Sequence, residues 1–139
     1  MKFKYARFIT PLPNCPPGGC KPADIVAYRF VFSDLKDWRN FTPAFIIKPE
    51  RHRPSTPAKV CCSGYGLSFY DSLANAEAKH HQLTENFPNI SLHIGTHIAE
   101  GNLSKTDGVI TPPNSEGHFD LHEYEGVKLN GKFRIVKKV

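Results

Sequence analysis

The sequence predicts an α+β domain, mostly antiparallel strands with two helices. Several runs alternate or cluster apolar and β-prone residues over strand-like lengths, and ten Phe and five Tyr favour such runs. Leu73, Ala76, His80, Leu83 and Phe87 form one stripe at helical spacing. Twelve prolines and ten glycines break the chain into short elements joined by turns.

Taken in order, Lys2–Ile9 alternates basic and apolar residues, as a short edge strand does. Residues 11–22 are too rich in Pro and Gly to propagate a helix or a ladder. Asp24–Phe32 is a nearly continuous apolar strand interrupted by one cation, Arg29. Ser33 is placed to cap a short helix over Asp34–Phe41, stopped by Thr42-Pro43. Pro49–Ala58 is a basic loop, and Val60–Tyr70 reads as a strand or a sharp turn into one. Asp71 or Ser72 caps the striped helix, which Pro88 ends. Ile90–Ile98 alternates cleanly and predicts a half-buried strand. A short strand at Val109-Ile110 follows. The chain then ends in a strand from His118 and a hairpin: Asn130-Gly131 separates Val127–Leu129 from Phe133–Ile135, a strong type I′ turn signal.

The 139 residues suit a single domain, with 1–23 a Pro/Cys-rich arm and loop. Apolar residues at 40% and charged residues at 22% exclude a disordered chain. No apolar run reaches the roughly 18 residues of a membrane span. The N-terminus is charged without an apolar core, so it does not read as a signal peptide. The expected compartment is the cytoplasm, where Cys15, Cys20, Cys61 and Cys62 are expected as reduced thiols or metal ligands. The net charge of +5 suits a partner carrying phosphates, whether nucleic acid, nucleotide or dinucleotide, and equally suits plain solubility.

Near the C-terminus, Glu123 and Glu125 are two apart, a spacing that puts both carboxylates on one face of a strand. A Glu-x-Glu pair leading into a terminal hairpin resembles the catalytic end of ADP-ribosyltransferases. Two earlier patches share the resemblance. Tyr28-Arg-Phe-Val is similar to that family's aromatic-Arg first strand. Gly64-Tyr-Gly-Leu-Ser-Phe, followed by an Ala-rich helix, is similar to its Gly-x-Gly serine segment. The resemblance spans Asp24 to Val136 and implies a minimal split-sheet fold, with NAD as substrate and ADP-ribose passed to a macromolecular acceptor or to water. It implies roles in turn: Arg29 holding the dinucleotide, Ser68 the nicotinamide ribose, Glu125 acting at the glycosidic carbon and Glu123 orienting the acceptor. Tyr65 and Phe69 would stack on nicotinamide beside Gly66. A bacterial or phage effector or toxin, with or without a neutralising protein partner, is the corresponding biology.

Other constellations stay open beside it. His118, Asp120 and His122 alternate and share one strand face, a feasible half-site for zinc or manganese in a metal-dependent hydrolase. Cys15 and Cys20 with Cys61 and Cys62 offer four thiolates, although the adjacent pair departs from Cys-x-x-Cys spacing. The basic stretch Lys48–Lys59 supports an alternative from another class: a non-enzymatic nucleic-acid- or protein-binding module, with zinc as a stabiliser.

Overall fold

In the computed structural model, which describes residues 1–139, strand β1 (Ile25–Val31) is where the sheet divides. β1 pairs antiparallel along its whole length with β3 (His97–Leu103), from Ile25↔Leu103 to Val31↔His97. It meets β2 (Leu67–Tyr70) at one ladder pair, Tyr28↔Tyr70. With β4 (Gly108–Ile110), β5 (His118–Glu123) and β6 (Phe133–Lys138), the order is β4-β5-β2-β1-β3-β6, every neighbouring pair antiparallel. The α+β expectation with mostly antiparallel strands holds.

The sheet curls. β3 and β4 stand four strand steps apart, about 19 Å along a flat sheet. Only Ser104–Asp107 joins them, in a turn where the Asp107 N–H donates to the Ser104 carbonyl at 2.9 Å. Such a turn spans less than about 7 Å. The two halves therefore fold toward one another and enclose the main core, in which Phe69 lies 5.7 Å from Phe119 and 5.6 Å from Phe133, with Leu67, Leu103, Ile110 and Leu121 around them.

On the outer face, helix α4 (Leu73–Asn86) begins at Ser72, whose hydroxyl accepts from the Asn75 N–H. It buries Ala76 and His80 against Tyr70, Phe30 and Ile98. Its stripe is covered only in the first half; Phe87 is 59% exposed. A second cluster joins Ile9 of α1 (Ala6–Ile9), Phe45 of α2 (Ala44–Ile47) and Cys61 of α3 (Ala58–Gly64) around Tyr65. The arm 1–23 is thus part of the packed structure. A Cys15–Cys62 disulfide ties it down across a separation of 47 residues, a loop whose closure is worth about 4 kcal/mol on chain-entropy grounds. No helix is long and apolar enough to cross a membrane.

Several local expectations are corrected. Cys15 and Cys62 are oxidised, leaving Cys20 and Cys61 free. Lys2–Ile9 contributes one bridge, Phe3↔Tyr124, then turns helical. Residues 34–41 form only a 3-10 turn, Trp38–Phe41, capped by Asp37 rather than Ser33. Residues 58–64 are helical, because Pro57 opens a helix whose Cys61 and Cys62 pack inward. The alternating stretch from Ile90 breaks at Gly95: α5 (Ser91–Ile94) ends there with φ +93, and a Cβ at Gly95 would lie 2.1 Å from the Val31 carbonyl oxygen. The terminal hairpin is absent. Neither Asn130 nor Gly131 takes a positive φ, Leu129 is buried in the core, and β6 pairs with β3 instead.

Asn40 closes the end of β1. Its Oδ1 accepts from the Phe32 N–H at 2.7 Å and its Nδ2 donates to the Asp34 carbonyl at 2.8 Å, with the residue 2% exposed. Asn40→Ala leaves the Phe32 N–H without its partner and removes one of two donors to the Asp34 carbonyl, which keeps the Asp37 N–H. It is expected to lower the unfolding free energy by about 1–3 kcal/mol, read from the urea midpoint at unchanged slope.

Candidate functional site

Arg29 projects from β1 where the ladder to β2 opens. Its Nε donates to the Asn40 carbonyl at 2.7 Å and its Nη1 to the Ser68 carbonyl at 2.8 Å. The guanidinium stands 5.7 Å from the centroid of the Phe69 ring. The residue is half-buried, and no carboxylate forms an ion pair with it. Desolvation pushes its pKa down to about 10, against the opposing pull of Glu123, Asp120 and Tyr70. At neutral pH it is still a cation, held by main-chain carbonyls and lacking an anion.

Glu123 ends β5 with its side chain 2% exposed. One oxygen, Oε2, takes the Lys4 ammonium at 2.7 Å. The other, Oε1, is the one buried side-chain polar atom in the molecule without a hydrogen-bond partner. Burial raises the Glu123 pKa, while Lys4 and then Arg29 pull it back. Tyr5 stands in the same surroundings, its phenol pushed up to about 12 by burial and by the Glu123 charge. Arg29 and Glu123 therefore lie within electrostatic reach of each other. Glu125 is elsewhere: it follows the strand, exposed, its N–H donating to the Lys2 carbonyl at 2.8 Å.

Ser68 lies on the other face of the sheet. Its register partner is Asp120, and its hydroxyl contacts His118 Nε2. Asp120 Oδ1 lies 3.6 Å from that same nitrogen, and Asp120 Oδ2 accepts from the Ser63 hydroxyl at 2.9 Å. Because serine and aspartate meet one nitrogen, the aspartate does not orient the ring from its far side, as a nucleophilic triad needs. The Ser68 hydroxyl does not reach Arg29; only its carbonyl does. Tyr65 and Phe69 are both buried, Tyr65 stacked on Phe8 at 5.3 Å and Phe69 within the main core. Neither ring offers a free face for nicotinamide. Gly66 serves packing: a Cβ there would come within 3.2 Å of the His122 ring.

The histidine set also divides. His118 and Asp120 adjoin each other, while His122 turns toward Cys62, its Nε2 3.8 Å from Cys62 Sγ. Burial holds the His122 pKa below its ordinary value. Asn40, Lys4 and Tyr5 were missed from sequence. Lys4 and Tyr5 lie in an arm more than a hundred residues from Glu123, and no local pattern joins them. No known protein family, curated protein or solved structure matches the chain.

Because the folded-state pKa of Glu123 is raised, the native protein keeps a proton that the unfolded chain has already lost above the ordinary value of 4.5. The stability from this proton is full below 4.5 and is lost as pH rises through the folded value. Glu123→Gln is expected to flatten that part of the stability–pH curve, measured by urea unfolding across the acid range. Lys4→Met, lacking the cation that pulls the carboxyl down, extends the decline to higher pH.

Proposed function

We propose that the protein is an NAD-dependent ADP-ribosyltransferase of the cytoplasm, its site at the opening between β1 and β2. The observation that carries this reading is the unpartnered Oε1 of Glu123, a buried carboxylate oxygen within electrostatic reach of an arginine that has no anion. A diphosphate satisfies Arg29, and a ribose hydroxyl donates to Oε1. Arg29, Ser68 and Glu123 stand on β1, β2 and β5, three strands that neighbour one another in the sheet, which is the order in which the resemblance ranks them.

In this reading the bond from the ribose anomeric carbon to the nicotinamide nitrogen breaks, and nicotinamide leaves with the electron pair. The ribosyl centre takes on oxocarbenium character, stabilised by the Glu123 carboxylate. A nucleophile on the acceptor, or water, adds to that carbon and releases one proton. Glu123 takes the role at the ribosyl centre that the resemblance implies for Glu125. Glu125, exposed at the edge, faces the acceptor. Ser68 acts through its carbonyl, which fixes the guanidinium. Lys4 covers Glu123, so entry of NAD displaces the arm. An effector or toxin role, with a neutralising partner, belongs to the same reading.

A second reading rests on a different surface. Lys48, Arg51, Arg53 and Lys59 are exposed without carboxylate partners. Nearby, Phe8 is 39% exposed on top of Tyr65, with Arg7 5.4 Å from its centroid. Cations beside an exposed ring suit single-stranded nucleic acid. Binding that falls steeply with salt is the sign of it.

Purified protein is expected to consume NAD+, with or without lysate as acceptor source. Glu123→Gln is expected to reduce turnover by about a hundredfold or more, and Glu125→Gln to affect acceptor modification more than NAD+ hydrolysis. Wild type that neither consumes NAD+ nor shows a thermal shift with it overturns the proposal. So does a Glu123→Gln variant as active as wild type.

A further inference from the structure

The Cys15–Cys62 disulfide lies beside a buried histidine, and the three residues come from three separate parts of the chain. Cys15 belongs to the arm, Cys62 to α3 and His122 to β5. Their sulfur and nitrogen atoms all lie within 4.8 Å of one another. His122 is 3% exposed, and a Cβ at Gly66 opposite it would come within 3.2 Å of its ring.

We infer that, once the Cys15–Cys62 disulfide is reduced, Cys15, Cys62 and His122 form a zinc site, so that the protein carries either a disulfide or a metal at this place. The inference is independent of the transferase reading.

The distances fit. Around a tetrahedral zinc with Zn–S near 2.3 Å and Zn–N near 2.0–2.1 Å, a sulfur and a nitrogen ligand stand about 3.6 Å apart, and two sulfurs about 3.8 Å. Cys62 Sγ and His122 Nε2 are already 3.8 Å apart. On reduction the two sulfurs have to separate to about 3.8 Å, and Cys15 Sγ, within 4.8 Å of the histidine nitrogen, has to come to about 3.6 Å from it. Rotation of two thiol side chains covers these distances without moving the sheet. The ligand set, two thiolates and an imidazole, is one that zinc prefers over magnesium or calcium. The fourth position is left to water or an incoming ligand, as in zinc sites with three protein ligands.

The exchange balances. A dithiol reductant gives two electrons and two protons to the disulfide and becomes a disulfide itself. Zinc then binds the two cysteines as thiolates and releases those two protons. The other thiols stand apart: Cys61 Sγ donates to the Thr56 carbonyl at 3.6 Å, and Cys20 is outside the group.

The test titrates zinc into metal-free full-length protein, reduced with a phosphine that does not bind zinc as a thiol does, and into the oxidised protein. Cobalt substitution reports thiolate ligation by its charge-transfer bands. One zinc per reduced chain, and none per oxidised chain, is expected. Cys61→Ser is expected to bind as wild type does. His122→Ala is expected to weaken binding by at least about tenfold. A reduced wild type that binds no zinc, an oxidised protein that binds it equally, or His122→Ala binding within about tenfold of wild type overturns the inference. Where His122→Ala fails to fold, alkylation mapping on the wild type decides. Zinc is expected to protect Cys15 and Cys62 but not Cys20, and absence of that protection overturns the inference.

Discussion

The Arg29 guanidinium spans the gap between β1 and β2, donating to the Asn40 carbonyl on one side and the Ser68 carbonyl on the other. The two strands share one ladder pair, so beyond Tyr28↔Tyr70 the backbone groups facing the gap need other partners. A planar fork with several fixed donors meets two carbonyls in different directions at once, which a lysine ammonium on a flexible stem does less well. The cost is a cation drawn part-way out of water with no carboxylate beside it. The split and the unpartnered charge are therefore one feature: the side chain that stabilises the opening is also the one that carries a charge without an ion pair.

Two buried carboxylates show what is unusual about this region. Asp107 lies in the turn joining β3 and β4, where its Oδ2 accepts from the Ser104 N–H at 2.8 Å and from Lys132 at 2.6 Å. It is tied into the turn that curls the sheet. Glu123 has a lysine too, but no backbone donor and one oxygen without a partner. A purely structural carboxylate at that depth would be expected to resemble Asp107, since an unpaired buried oxygen costs about 1–3 kcal/mol. In the proposed function a ligand supplies the missing donor.

Sequence patterns were legible where one element settles its own environment. Arg29 within an apolar run, the helix after Asp71-Ser72, and the alternation of β5 all read correctly, with Ser72 the cap of the two offered. They failed where distant contacts decide. Asn130-Gly131 has the composition of a type I′ turn, but burial of Leu129 and the pairing of β6 with β3 impose a 3-10 turn instead. The alternation from Ile90 to Ile98 looked like one strand, yet the close approach of Gly95 to Val31 breaks it. Cys15 and Cys62 carry no spacing rule that pairs them. Glu123 and Glu125 were placed on one strand face, but β5 ends at Glu123, so one carboxylate is buried and the other lies in solvent. Arg29 and Ser68 lie on neighbouring strands, but alternation across the sheet sends the serine hydroxyl to the outer face, away from the guanidinium.

Alternation also brings two chemistries together on β5. Phe119, Leu121 and Glu123 face the core, while His118, Asp120 and His122 face outward, and His122 and Glu123 are consecutive. The N-terminal arm is fastened on both sides of this strand, by Cys15 to Cys62 beside His122 and by Lys4 to Glu123. While the disulfide is intact, the Lys4–Glu123 pair closes a short segment already anchored at residue 15, so little chain entropy opposes it. With the disulfide cut, the same ion pair orders the arm together with the packing of Phe3, Ile9 and Leu12, the stacking of Phe8 on Tyr65 and the backbone bonds of Lys2 and Lys4 beside the end of β5. The outer thiol pair thus bears on how firmly the inner carboxylate is covered, through chain connectivity alone and without any movement of the sheet between them.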